Sequence, residues 1–170
     1  MSSWKYRHAF DPYKMSMHDC KVTRIQLETA EEGGLMTWDF SDGIWLTPEI
    51  EQHEITEICR TSEARAVFAG KHLREDDLSA ALCIKRHLHG ENYRLSTETW
   101  EYMTLGEFVS RCKEGEWVPE IICTYAEGRN FLITGQIHTP KKGNWREFRL
   151  EFFADTAELL WNEIRPDRVW

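Results

Sequence analysis

The chain has 170 residues, enough for one domain with a sizeable core and little reason for two. Apolar residues make up 41% and charged residues 29%, which excludes a disordered chain. The net charge of −8 argues against nucleic acid or an anionic membrane as the main partner, and suits a basic protein partner or plain solubility.

No apolar run is long enough to cross a bilayer, and the first residues, Met1 to His8, contain no apolar leader segment. The five cysteines (Cys20, Cys59, Cys83, Cys112, Cys123) are scattered, odd in number and free of any C-x-x-C spacing. That pattern fits reduced thiols, so a cytoplasmic location is expected.

Residues 1–14 read as an irregular aromatic arm that packs on the body, with Asp11-Pro12 as a turn. Lys21 to Glu28 is β-rich in type. Its apolar positions do not alternate: Val22 falls on one face and Ile25 with Leu27 on the other, unless a bulge intervenes. Thr29 to Gly34 reads as an acidic loop. The stretch Leu35 to Leu46 then predicts a hairpin around Ser41-Asp42-Gly43, where Gly43 can take positive φ. Met36, Trp38 and Phe40 recur at period two and share one strand face. A face with two large aromatics must be buried by a second layer.

Glu49 to Arg60 is ambiguous between a surface strand and a short helix. Ser62 to Ala69 reads as a strand, 71–77 as a charged loop, and Leu78 to Leu88 as either strand or helix, with strand the better fit. Gly90-Glu91-Asn92 reads as a turn, followed by a short strand at Tyr93 to Leu95. One helix is predicted over 105–114. Thr104 is its N-cap, Glu107 stands at the capping-box spacing, and Leu105, Phe108, Val109 and Cys112 form one apolar stripe. Gly115 is placed to end it. Strands follow at Trp117 to Ala126, Phe131 to Thr139 and Trp145 to Ala154, with a polar loop at 140–144. Ala157 to Ile164 comes next, then a polar tail from Arg165.

The fold expected is a single α+β domain over residues 1–170, dominated by antiparallel strands, with one clear helix near 105–114. A sandwich or partly closed barrel is its arrangement. A loose internal echo aligns Leu35, Phe40, Asp42 and Leu46 with Phe148, Phe153, Asp155 and Leu159. Any two β-hairpins resemble each other this way, so the echo is compatible with two similar β-meander halves without requiring them.

Candidate binding residues are His18, Asp19, Cys20, Asp42 and Trp45. The triplet His18-Asp19-Cys20 holds the set needed for a thiolate nucleophile, but adjacent residues rarely build such a site. Turn hydrogen bonds and a small buried thiol explain it better, so no catalytic residue is assigned. His87 and His89, two apart on a strand, are weak metal candidates that lack a third ligand at ligand spacing. Nucleotide-binding, zinc-protease and serine-hydrolase fingerprints are missing, and no cofactor is expected. Trp4, Trp45, Trp100, Trp117, Trp145 and Trp161 do not fall on one core face, so some of them can serve as partner anchors.

The run Met17 to Ile25, followed by Leu35 to Phe40 and Asp42 to Leu46, resembles the opening of small uncharacterised β-rich bacterial proteins. It is also similar to the His-Asp start of some families grouped with immunity proteins of bacterial toxin systems. The resemblance covers about residues 15 to 46. It implies a cytosolic, non-enzymatic protein that binds a protein partner, with an acidic surface matched to a basic toxin. A His/Cys-lined pocket for a small ligand or a hydrolysis is the alternative, and a homo-oligomer formed through an exposed strand edge is a third.

Overall fold

The computed structural model describes residues 4–50, 53–90, 93–139 and 145–169, with the backbone alone over 85–90, 93–97 and 166–169. Asn92, Glu91 and the 140–144 loop lie outside the described residues.

Among the described residues the architecture is mostly antiparallel β with one helix. Strands β1 (Tyr6–Ala9), β2 (Met15–Ser16), β3 (Cys20–Lys21), β4 (Arg24–Ala30), β5 (Gly33–Phe40) and β6 (Trp45–Leu46) come first. Then follow β7 (Cys59–Thr61), β8 (Ala64–Gly70), β9 (Ala80–Gly90) and β10 (Tyr93–Met103). Helix α1 (Leu105–Lys113) precedes β11 (Val118–Glu127), β12 (Asn130–His138), β13 (Trp145–Phe153), β14 (Thr156–Trp161) and β15 (Ile164–Val169). They form a five-stranded sheet in the order β1-β14-β8-β5-β4, a six-stranded sheet β10-β9-β13-β12-β11-β3, and a small sheet β15-β7-β6-β2. All pairings are antiparallel, and none of the sheets closes into a barrel.

The two large sheets press together through aromatic side chains. Phe68 from β8 meets Phe131 and Phe152 of the six-stranded sheet edge-on, at ring-centroid distances of 5.3 and 5.1 Å. Phe131 and Phe152 stack on one another at 5.5 Å. Met36, Trp38 and Phe40 are all buried in this layer, as their period-two spacing required. Helix α1 inserts Phe108 against Phe148 and Trp117. Thr104 Oγ1 accepts from the Glu107 N–H at 3.1 Å, and Gly115 has φ +73°, so both helix ends form as the sequence specified. The capping box stays half made: Glu107 turns to Arg111 one helical turn on, at 2.8 Å.

Several expectations are corrected. Ser41-Asp42-Gly43 is not a hairpin turn. β5 belongs to the five-stranded sheet and β6 to the small one, so the chain changes sheets there. Gly43 has φ +76°, and any Cβ on it would run into the Thr61 and Ser62 carbonyls, so glycine is needed twice over. The real hairpin of β5 is with β4, around Glu31-Glu32, where a loop was expected. Val22 and Ile25 break alternation because β3 and β4 lie in different sheets. The irregular arm contains β1, paired to β14, and the polar tail contains β15, paired to β7. Tyr93 begins a strand of 11 residues rather than a short one. The two echoing segments do share a role. Asp155, like Asp42, sits where the chain leaves one sheet for another, here from β13 to β14.

Candidate functional site

Two regions draw the candidate residues. The first is a corner built on the turn Met17–Cys20, closed by the Cys20 N–H donating to the Met17 carbonyl at 3.1 Å. Asp19 takes the left-handed conformation, φ 54°, which a short polar side chain tolerates. Its N–H donates to the Ile121 carbonyl at 2.8 Å, tying the turn to β11. His18 and Cys20 therefore flank a turn and do not share a strand face. His18 Nδ1 lies 3.1 Å from Asp19 Oδ2. The Trp45 indole N–H donates to the His18 carbonyl at 2.9 Å, and the Arg60 guanidinium stacks over the Trp45 ring at 4.9 Å.

The corner thus gathers His18, Asp19, Cys20 and Trp45, and adds Arg60, which no local pattern marks. Arg60 faces Trp45 only through the β6–β7 register. Cys20 is wholly buried, its thiol 3.4 Å from the His18 carbonyl. Burial pushes that thiol up to about 12. The Arg60 guanidinium opposes the rise, and the Asp19 and Asp42 carboxylates add to it. Near neutral pH it is a protonated, sealed group and not a poised nucleophile. Asp42 itself is exposed at the sheet-changing corner. His18 lines a cleft of about 210 Å³ with Ser16, Cys123, Thr124 and Tyr125, away from the Cys20 thiol. His87 and His89 lie on β9, where only the backbone is described, opposite Ser96 and Arg94. No group of three or more metal-ligating side chains occurs among the described residues.

The second region is the outer face of the six-stranded sheet. Alternation sends Phe131, Ile133, Ile137, Phe148, Leu150 and Phe152 into the core. The opposite parity faces out. Tyr125 pairs with Leu132, Trp145 with His138, Trp100 with Cys83, and Tyr102 with Ala81. Those four aromatics are open to solvent: Trp100 42%, Tyr102 69%, Tyr125 59% and Trp145 47% exposed. A shallow recess of about 400 Å³ runs between Trp100 and Ile122, over Leu132 and Thr134, with Glu147 and Arg149 in its wall. Glu98, Glu120 and Glu151 share this face with Arg149 and with Lys21, which lies opposite Glu120. Glu120 pairs with His138 at 2.7 Å and Arg149 with Glu151 at 2.8 Å. Trp100 and Trp145 are legible in the sequence as tryptophans left over from the core. Trp117 and Trp161, legible in the same way, are buried instead.

The geometry defines a mostly antiparallel β-sandwich protein of the α+β class, with one sheet face carrying solvent-exposed aromatics among carboxylates. No family model, no curated protein and no solved structure matches the chain. Among the described residues no helix is long and apolar enough to cross a membrane.

Proposed function

We propose that this is a non-catalytic binding protein whose outer six-stranded face takes a basic protein partner. The observation that carries the reading is the aromatic set Trp100, Tyr102, Tyr125 and Trp145, exposed on one sheet face around the recess. Aromatic side chains anchor protein interfaces out of proportion to their number. The surrounding glutamates and the net charge of −8 favour a cationic partner and speed its encounter. A basic toxin domain is the partner that the resemblance over residues 15–46 implies, and a cytoplasmic setting goes with it. The corner at His18, Asp19, Cys20, Asp42 and Trp45 serves this reading as scaffold, joining the small sheet to β11.

The test is a photo-crosslinking residue at Leu132 in the full chain, compared with one at Asp42. Adducts to basic proteins are expected from Leu132, and Glu147→Lys should reduce them at least tenfold. Adducts from Asp42 alone, or from neither position, would refute the assignment.

A small polar ligand is the second reading, favoured by one observation. The Thr124 hydroxyl, lining the cleft beside His18, is buried with no hydrogen-bond partner among the described residues. It predicts ligand-induced shifts confined to His18, Thr124 and Tyr125.

A further inference from the structure

We infer that β10 is a self-complementary edge through which two copies of the chain join their six-stranded sheets. β10 is the edge strand of its sheet and pairs on one side with β9 over its whole length. The opposite edge of the five-stranded sheet's β4 has α1 lying against it. Residues Glu98 to Tyr102 are exposed on both faces of the strand, outward at Glu98, Trp100 and Tyr102 and inward at Thr99 and Glu101. Of the usual edge guards that segment carries only charge, in Glu98 and the inward-pointing Glu101. It contains no proline and no lysine, and its pairing shows no register shift.

Its charges are two glutamates, which repel an arbitrary acidic strand but fit a second copy. Antiparallel pairing about a two-fold axis through Trp100 sets Trp100 against Trp100 of the second copy. Glu98 then faces Tyr102, whose hydroxyl can donate to it, and Glu101 faces Thr99, whose hydroxyl reaches it by turning from a long 3.5 Å bond to the Ile84 carbonyl. Aromatic pairs directly opposite each other are among the better cross-strand contacts. Slipping by two residues one way sets Glu101 against Glu101, a like-charge contact. Slipping the other way sets Glu98 beside Trp100 and gives up the aromatic pair. One register is therefore favoured, and it doubles the outer aromatic face without covering Tyr125 or Trp145. The inference shares Trp100 with the proposed partner surface, and the two are told apart by Leu132 and Glu147, which report the partner alone.

Sedimentation of the full chain across a concentration series tests it. The expected mass is twice the 20.2 kDa of one chain, and Trp100→Lys should halve it while leaving the circular dichroism spectrum unchanged. Trp100→Cys places two thiols on directly opposed residues, whose Cβ atoms, about 4.5–5.5 Å apart, need only a small approach to reach the separation that a disulfide spans. Mild oxidation should convert it to a covalent dimer, while the parent chain and Tyr125→Cys stay uncrosslinked. A monomer at every concentration, a dimer that survives Trp100→Lys, or a Trp100→Cys chain that does not crosslink would each overturn the inference.

Discussion

At the scale of single residues, Thr61 holds the sheet-changing corner shut. It is fully buried. Its hydroxyl accepts from the Ile44 N–H at 3.0 Å and donates to the Ser62 carbonyl at 2.9 Å. Thr61→Val keeps the shape and leaves the Ile44 N–H without an acceptor. The expected loss is about 1–3 kcal/mol in denaturant unfolding, largely restored by Thr61→Ser. The same corner shows where reading the sequence stopped. Gly43 signals positive φ, and it has it. What Gly43 also meets, the Thr61 and Ser62 carbonyls, comes from a strand some 18 residues on, and no local pattern encodes that approach. Cys20 is similar. Its residue type suggested burial, but the Trp45 and Arg60 contacts around it depend on three separate strands.

At the scale of elements, α1 was legible because every signal it needs is local. The cap, the apolar stripe and the terminal glycine fall within 12 residues. Thr104→Ala removes the side-chain acceptor of the Glu107 N–H and should cost about 1 kcal/mol of stability, read as a lower midpoint in urea. The strands were legible as strands wherever alternation was clean, as in β5, β12 and β13. Their partners were not. Ser41-Asp42-Gly43 looks like a hairpin turn from either side, and only the long-range pairing of β5 with β8 and β6 with β7 tells otherwise. The strands missed outright, β1 and β15, carry few apolar residues, since each is an edge strand with one partner. The outer aromatic face was half visible. Trp100 and Trp145 stood out as surplus, but which side of which sheet they occupy follows from register alone.

At the scale of the whole molecule, stability should vary with pH at both ends. Burial raises the Cys20 and Cys112 thiols to about 12 from an ordinary value of 9.0, and raises Cys59 as well. The Cys20 and Cys112 thiols contribute stability that is complete below about pH 9 and lost as the pH climbs toward 12, and Cys59 acts in the same direction. On the acid side, burial lowers the His53 imidazole from its ordinary 6.5, helped by the positive charges of His8 and Lys5. His53 packs edge-on against Tyr6 and beside Trp161, on β1 and β14. Its neutral form is the one that fits, so that contribution is complete above about pH 6.5 and lost as the pH falls below it. Thermal midpoints taken from pH 5 to pH 11 should form a plateau between these limits. Cys20→Ala with Cys112→Ala should flatten the alkaline arm only.

The first three strands, β1, β2 and β3, each join a different sheet, and their partners are β14, β6 and β11. During synthesis they are therefore released from waiting at three different times. β2 can pair once Trp45–Leu46 has emerged from the ribosome, β3 only after Val118–Glu127, and β1 not until Thr156–Trp161 has been made. A nascent chain stopped anywhere before that point holds an aromatic strand with nowhere to go, and the five-stranded sheet takes its β1 edge from a segment translated well ahead of its partner.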